Sequence, residues 1–80
     1  MSPIVRDYTV VLTPEEVGGF SVSVPALPEV ATQGETVEEA LAMAQEAIEL
    51  ALSVRRDEGD EIPPDSPPTV QRVHVEIEAA

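Results

Sequence analysis

GETVEEALAMAQEAIELALSVR, residues 34–55, is the stretch from which the fold can be read. It predicts one long amphipathic helix whose start is written into the sequence. Thr36 stands at an N-cap position and Glu39 follows three residues later, the spacing of a capping box. Val37, Ala40, Leu41, Ala44, Ala47, Ile48, Ala51 and Leu52 recur at helical spacing and form the stripe expected to be buried. Glu38, Glu39, Gln45, Glu46 and Glu49 fall on the other side. A stripe this rich in alanine lets the helix approach closely whatever it covers. Arg55 and Arg56 close it, where cations suit the negative end of the helix dipole.

Upstream, the pattern changes to that of strands. Residues 4–12 (IVRDYTVVL) are β-rich and carry apolar side chains on both faces, as a central strand would. Residues 13–19 (TPEEVGG) read as a turn in which the two glycines are free to take positive φ. Phe20, Val22 and Val24 then alternate with Ser21 and Ser23, so residues 20–24 complete a hairpin. Pro25 and Pro28 cannot sit inside a paired strand and mark a bend. Residues 29–33 are short enough for a brief third strand, which Gly34 breaks before the helix.

Downstream of Arg56 the chain turns acidic and then proline-rich. Gly59 is placed to stop the helix, and Pro63, Pro64, Pro67 and Pro68 impose an extended connection. Alternation returns over residues 69–77, with Val73, Val75 and Ile77 on one face and Arg72, His74 and Glu76 on the other. That pattern predicts a last strand. The expected order is β-β-β-α-β: an α+β domain with a single, mostly antiparallel sheet and one helix across a face, the final strand lying beside the first through a right-handed crossover.

The totals limit the function classes. Eighty residues make one domain with a modest core, and Tyr8 and Phe20 are the only aromatics. A core this thin points to a homodimer or a dimer of dimers. Sixteen acids against four arginines, with no lysine, give a net charge of −12. Such a surface repels phosphate backbones, so direct nucleic-acid binding is not expected. It attracts basic proteins and speeds their encounter. There is no cysteine, hence no disulfide framework or thiolate site. No secretory signal is visible at the N-terminus and no apolar run approaches membrane-spanning length, so a cytoplasmic location with no membrane partner is expected.

Residues 18–28 (GGFSVSVPALP), followed by residues 32–40 (TQGETVEEA), resemble the HicB-like antitoxin family. That family reads glycine-glycine-aromatic, a valine strand, proline-x-leucine-proline, then a glycine-acid-threonine step into a helix opening glutamate-glutamate-alanine. On that pattern Gly19, Pro25, Pro28, Gly34, Thr36 and Glu39 are the matching structural positions. The sequence departs from it at Ala26, where aspartate is frequent, and at Glu29, where glycine is usual. The resemblance covers nearly the whole chain and implies a truncated ribonuclease-H-like fold. It also implies a role: binding a small, basic, RNA-cleaving toxin of the HicA type and blocking it. Full-length members usually carry a C-terminal DNA-binding segment. One domain over residues 1–80 without a separate DNA-binding segment is expected, and autorepression is not carried over.

Candidate chemistry is sparse. A ribonuclease-H-like fold invites a search for converging acids, and Asp7 is one candidate member, but the helix glutamates read as a solvated face. Asp57, Glu58, Asp60 and Glu61 lack the ligand spacing of a calcium loop. His74 is alone and reads as a surface residue. No catalytic residue, metal or cofactor is therefore expected. Glu38, Glu46 and Glu49, sharing one helix face, are the candidate partner-binding residues. The competing readings are a binding module of the same fold without a toxin, and a residual metal-dependent nuclease.

Overall fold

A computed structural model describes residues 3–79; Met1, Ser2 and Ala80 lie outside the described residues. Three strands, β1 (Val11–Pro14), β2 (Phe20–Ser23) and β3 (Ala31–Gly34), precede one helix, α1 (Val37–Asp57). The sheet is antiparallel throughout in the order β1-β2-β3. The α+β architecture and the β-β-β-α order agree with the sequence.

The helix ends are built as their residues require. Thr36 Oγ1 accepts from the Glu39 N–H at 3.1 Å. The Glu39 carboxylate reaches back one residue beyond the cap, accepting from the Glu35 N–H at 3.1 Å. At the other end Gly59 takes φ +77°. Its N–H donates to Arg56 O and that of Asp60 to Arg55 O, the two bonds of a Schellman motif.

The first strand is shorter than the alternation suggests, and register explains why. Val11 pairs with Ser23, so Thr9 would fall opposite Pro25, which has no N–H to give. Residues 4–9 thus outrun their partner and lie outside the ladder. The bend after β2 has its own bonds, Leu27 N–H to Val24 O and Val30 N–H to Leu27 O. These occupy residues 29–30 and delay β3 to Ala31. Pro25 and Pro28 face solvent on either side of Leu27, which is completely buried.

The strand expected over residues 69–77 does not form within the chain. After the helix, the Tyr8 hydroxyl donates to Pro63 O. The Thr9 N–H and hydroxyl donate to the Asp65 carboxylate at 2.8 and 2.7 Å. These contacts place the returning chain beside the lead-in to β1 but occupy its edge with a side chain. Pro67 and Pro68 follow immediately and offer no N–H. Residues 66–79 then leave the body as an exposed extended arm.

The core sits between the sheet and α1. Val22, Ala40 and Ala44 form one cluster with Val10, Leu12 and Phe20 packed against it. Val24, Leu27 and Val30 form another beneath Tyr8, Ala47, Ile48, Ala51 and Leu52. The alanines of α1 are what allow this closeness, as the stripe predicts. Val37 and Leu41, assigned to the same stripe, are about half exposed. The opposite sheet face carries Thr13, Ser21, Ser23 and Gln33 together with Val11 and Ala31.

Candidate protein-binding surface

The strand order leaves β3 as a free edge, and α1 lies over it. Where the bend before β3 and its first residue, Ala31, meet the C-terminal half of α1 runs a groove of about 540 Å³. Val30, Ala31, Ala47, Leu50, Ala51 and Val54 supply its apolar floor; Glu29, Glu58 and Asp60 supply an acidic rim. Leu50 is 67% and Val54 46% exposed. They stand at i and i+4 on α1, just outside the buried stripe, so a row of apolar groups faces solvent beside unpaired strand backbone.

Arg55 crosses this rim. Its guanidinium grips Glu29 through two bonds, Nε to Oε2 at 2.7 Å and Nη2 to Oε1 at 2.9 Å. That grip holds the Glu29 carboxyl below its usual range and raises Arg55. The residue standing where the sequence pattern usually has glycine is thus the one that ties the bend after β2 to the end of α1.

A second groove, of about 450 Å³, opens between residues 4–10 and the other flank of α1. Ile4, Val5, Leu41 and Ile48 line it together with Asp7 and Glu49.

Glu38, Glu46 and Glu49 are all exposed along α1, but the structure does not gather them at one groove. Glu49 borders the second groove; Glu38 and Glu46 border none of the grooves described here. The structural positions behave more uniformly. Gly19 takes φ +77° against Gly34, Gly34 is buried under the start of α1, and Thr36 and Glu39 cap the helix. Tyr8 packs against the Val24–Leu27–Val30 cluster. His74 is 86% exposed, with Nε2 3.5 Å from Glu76 Oε1. Among the described residues, no three acidic or histidine side chains converge where a metal ion would fit. No described helix is long and apolar enough to cross a membrane.

Sequence reasoning missed the β3–α1 groove. The signal available was Leu50 and Val54, apolar at i, i+4 but off the alanine stripe; their significance depends on β3 lying beneath them.

Comparison with known proteins bears on what this surface meets. The family model described as HicB-like antitoxin of bacterial toxin-antitoxin systems matches residues 7–80. Antitoxin HicB 1 of Photorhabdus laumondii is 41% identical over 73 residues, 91% of this chain and 47% of that protein. Antitoxin HicB of Escherichia coli K12 is 43% identical over 60 residues, 75% of this chain and 44% of that protein. The UPF0150 protein Ta0767 of Thermoplasma acidophilum is 42% identical over 59 residues, 74% of this chain and 86% of that protein. The chain therefore spans about half the length of the antitoxins it matches.

Proposed function

The chain belongs to the HicB-like antitoxin family of bacterial toxin–antitoxin systems, and from that premise we propose that it neutralises a small, basic, RNA-cleaving toxin of the HicA type by protein–protein contact, without catalysis of its own. The observation that carries this reading is the β3–α1 groove: an apolar floor, an acidic rim and a free strand edge in a chain of net charge −12. The charge steers a basic partner inward, and the floor supplies the area that holds it. A strand of the toxin added to β3 would satisfy the open backbone. Glu38, Glu46 and Glu49 lie outside this groove and act, in this reading, on the approach rather than at the seat.

The test begins with the neighbouring gene. A short basic reading frame there is expressed with this chain, and RNA cleavage is measured with and without it. Cleavage is expected to stop on co-expression, and Leu50→Arg is expected to weaken binding at least tenfold, about 1.4 kcal/mol. Undiminished cleavage in the presence of the folded chain refutes neutralisation. Tight binding by the Leu50→Arg chain refutes the groove while leaving neutralisation standing. Failure of any basic partner to bind favours a toxin-free binding module.

A further inference from the structure

The arm that failed to become an intrachain strand keeps every feature of one. Val73, Val75 and Ile77 alternate with Arg72, His74 and Glu76, and the three apolar side chains are 81%, 75% and 91% exposed. Arms of this kind, apolar on one face with their backbone open, are templates for pairing with another chain. The arm is also held out rather than folded back. Its base is tied to the body by Tyr8–Pro63 and Thr9–Asp65, and Pro67 and Pro68 stiffen its exit. The molecule measures 64 × 25 × 18 Å, with a radius of gyration of 16.4 Å, against about 12 Å for a compact chain of this length.

The sequence of the arm identifies what it pairs with. About Val75 the pattern is self-complementary: Val73 answers Ile77, His74 answers Glu76, and Arg72 answers Glu78. An antiparallel pair related by a twofold axis sets each residue opposite the one equally distant from the centre. We propose that residues 71–78 pair antiparallel with the same residues of a second copy, with Val75 on the twofold axis. This register puts all six Val73, Val75 and Ile77 side chains on one face of the ribbon. On the other face it sets Arg72 opposite the second copy's glutamate at position 78, and His74 opposite its glutamate at 76, twice over by symmetry. Opposite charges directly across a ladder stabilise it, as Arg72 and the second copy's glutamate at 78 do in this register. A two-stranded ribbon is marginal by itself in water. Its apolar face has the exposed Ile4 and Val5 available, on the same segment to which the base of the arm is tied. The inference is independent of toxin binding.

The absence of cysteine makes the register directly readable. Residues facing each other across the axis have Cα atoms about 4.5–5.5 Å apart, within the disulfide range of about 4.4–6.8 Å. The full chain carrying Val75→Cys is expected to oxidise quantitatively to a disulfide dimer. Val73→Cys alone is expected to stay unlinked, and a mixture of Val73→Cys and Ile77→Cys chains is expected to cross-link. By sedimentation, the wild-type chain is expected at twice its 8.5 kDa mass at micromolar concentration. Val75→Asp is expected to sediment as a monomer that keeps the helical far-ultraviolet signal of α1, since the described residues of the arm are exposed. A monomeric wild-type chain overturns the proposal. So does a dimer that survives Val75→Asp, or cross-linking of Val73→Cys alone as readily as Val75→Cys.

Discussion

Gly34 and Ala40 are in backbone contact: a Cβ added to Gly34 would stand 2.6 Å from Ala40 Cα. The end of β3 and the first turn of α1 therefore meet with no room for any side chain. The atoms in the way are main chain, so nothing can swing aside. Gly34→Ala is expected to cost on the order of 3 kcal/mol, the upper end of overpacking effects, and to lower the melting temperature accordingly. Gly34 has no positive φ, so the loss would measure close approach alone. A melting temperature within a degree of wild type would mean that strand and helix are not in this contact.

Thr36→Ala removes the oxygen that accepts from the Glu39 N–H. The expected cost is about 1 kcal/mol. Glu38→Ala, two positions beyond the cap and exposed, is expected to cost much less. Thermal melts of the two variants side by side decide the matter, and equal losses would place the functioning cap elsewhere.

Acid should weaken the tertiary ties before the helix. Arg55 lowers Glu29 from its ordinary 4.5, and the Thr9 N–H and hydroxyl lower Asp65 from 3.8. Both groups bind protons less readily folded than unfolded, so the stability they contribute is present above those ordinary values. It is lost as pH falls through the lowered folded values. Both side chains meet solvent, so the effect is small. Melting temperatures of wild type, Glu29→Gln and Asp65→Asn are expected to differ at neutral pH and to draw together as pH falls below those ordinary values. Variants that melt with wild type at neutral pH would show that neither carboxylate is held as described.

Replacing Glu38, Glu46 and Glu49 together by glutamine removes three exposed charges and leaves the buried stripe of α1 intact. Association with the adjacent-gene toxin is expected to slow at low salt, and the difference to shrink as salt rises, because exposed charges are screened within about 8–10 Å at physiological ionic strength. Dissociation is expected to change less. Stopped-flow traces at two salt concentrations provide the check. An unchanged association rate in the triple variant at low salt would remove this face from the steering surface.

The helix, its caps and the glycine that ends it were legible in the sequence, because each depends on bonds between residues at most five apart. Thr36 with Glu39, and Gly59 with Arg56, are such pairs. The hairpin turn and the inward set Phe20, Val22 and Val24 were legible for the same reason. The exposure of Glu38, Glu46 and Glu49 followed from helical period alone. The limits of the strands did not follow from local pattern. Gly34, expected to break β3, is its last residue and pairs with Phe20. Alternation shows that a segment is suited to pairing, but only register shows whether a partner is present. Pro25 removes the partner of residues 4–9. Asp65 and the prolines after it deny the last alternating segment a place on the edge of β1. The same is true of the surface features: Glu29 meets Arg55 from 26 residues away and Thr9 meets Asp65 from 56. What the sequence determined by itself is the set of elements, since short-range hydrogen bonds and period are written in neighbouring residues. What only the tertiary structure decided is which edges stay open, namely the β3–α1 groove and the unpaired arm, because an open edge depends on where distant parts of the chain come to rest.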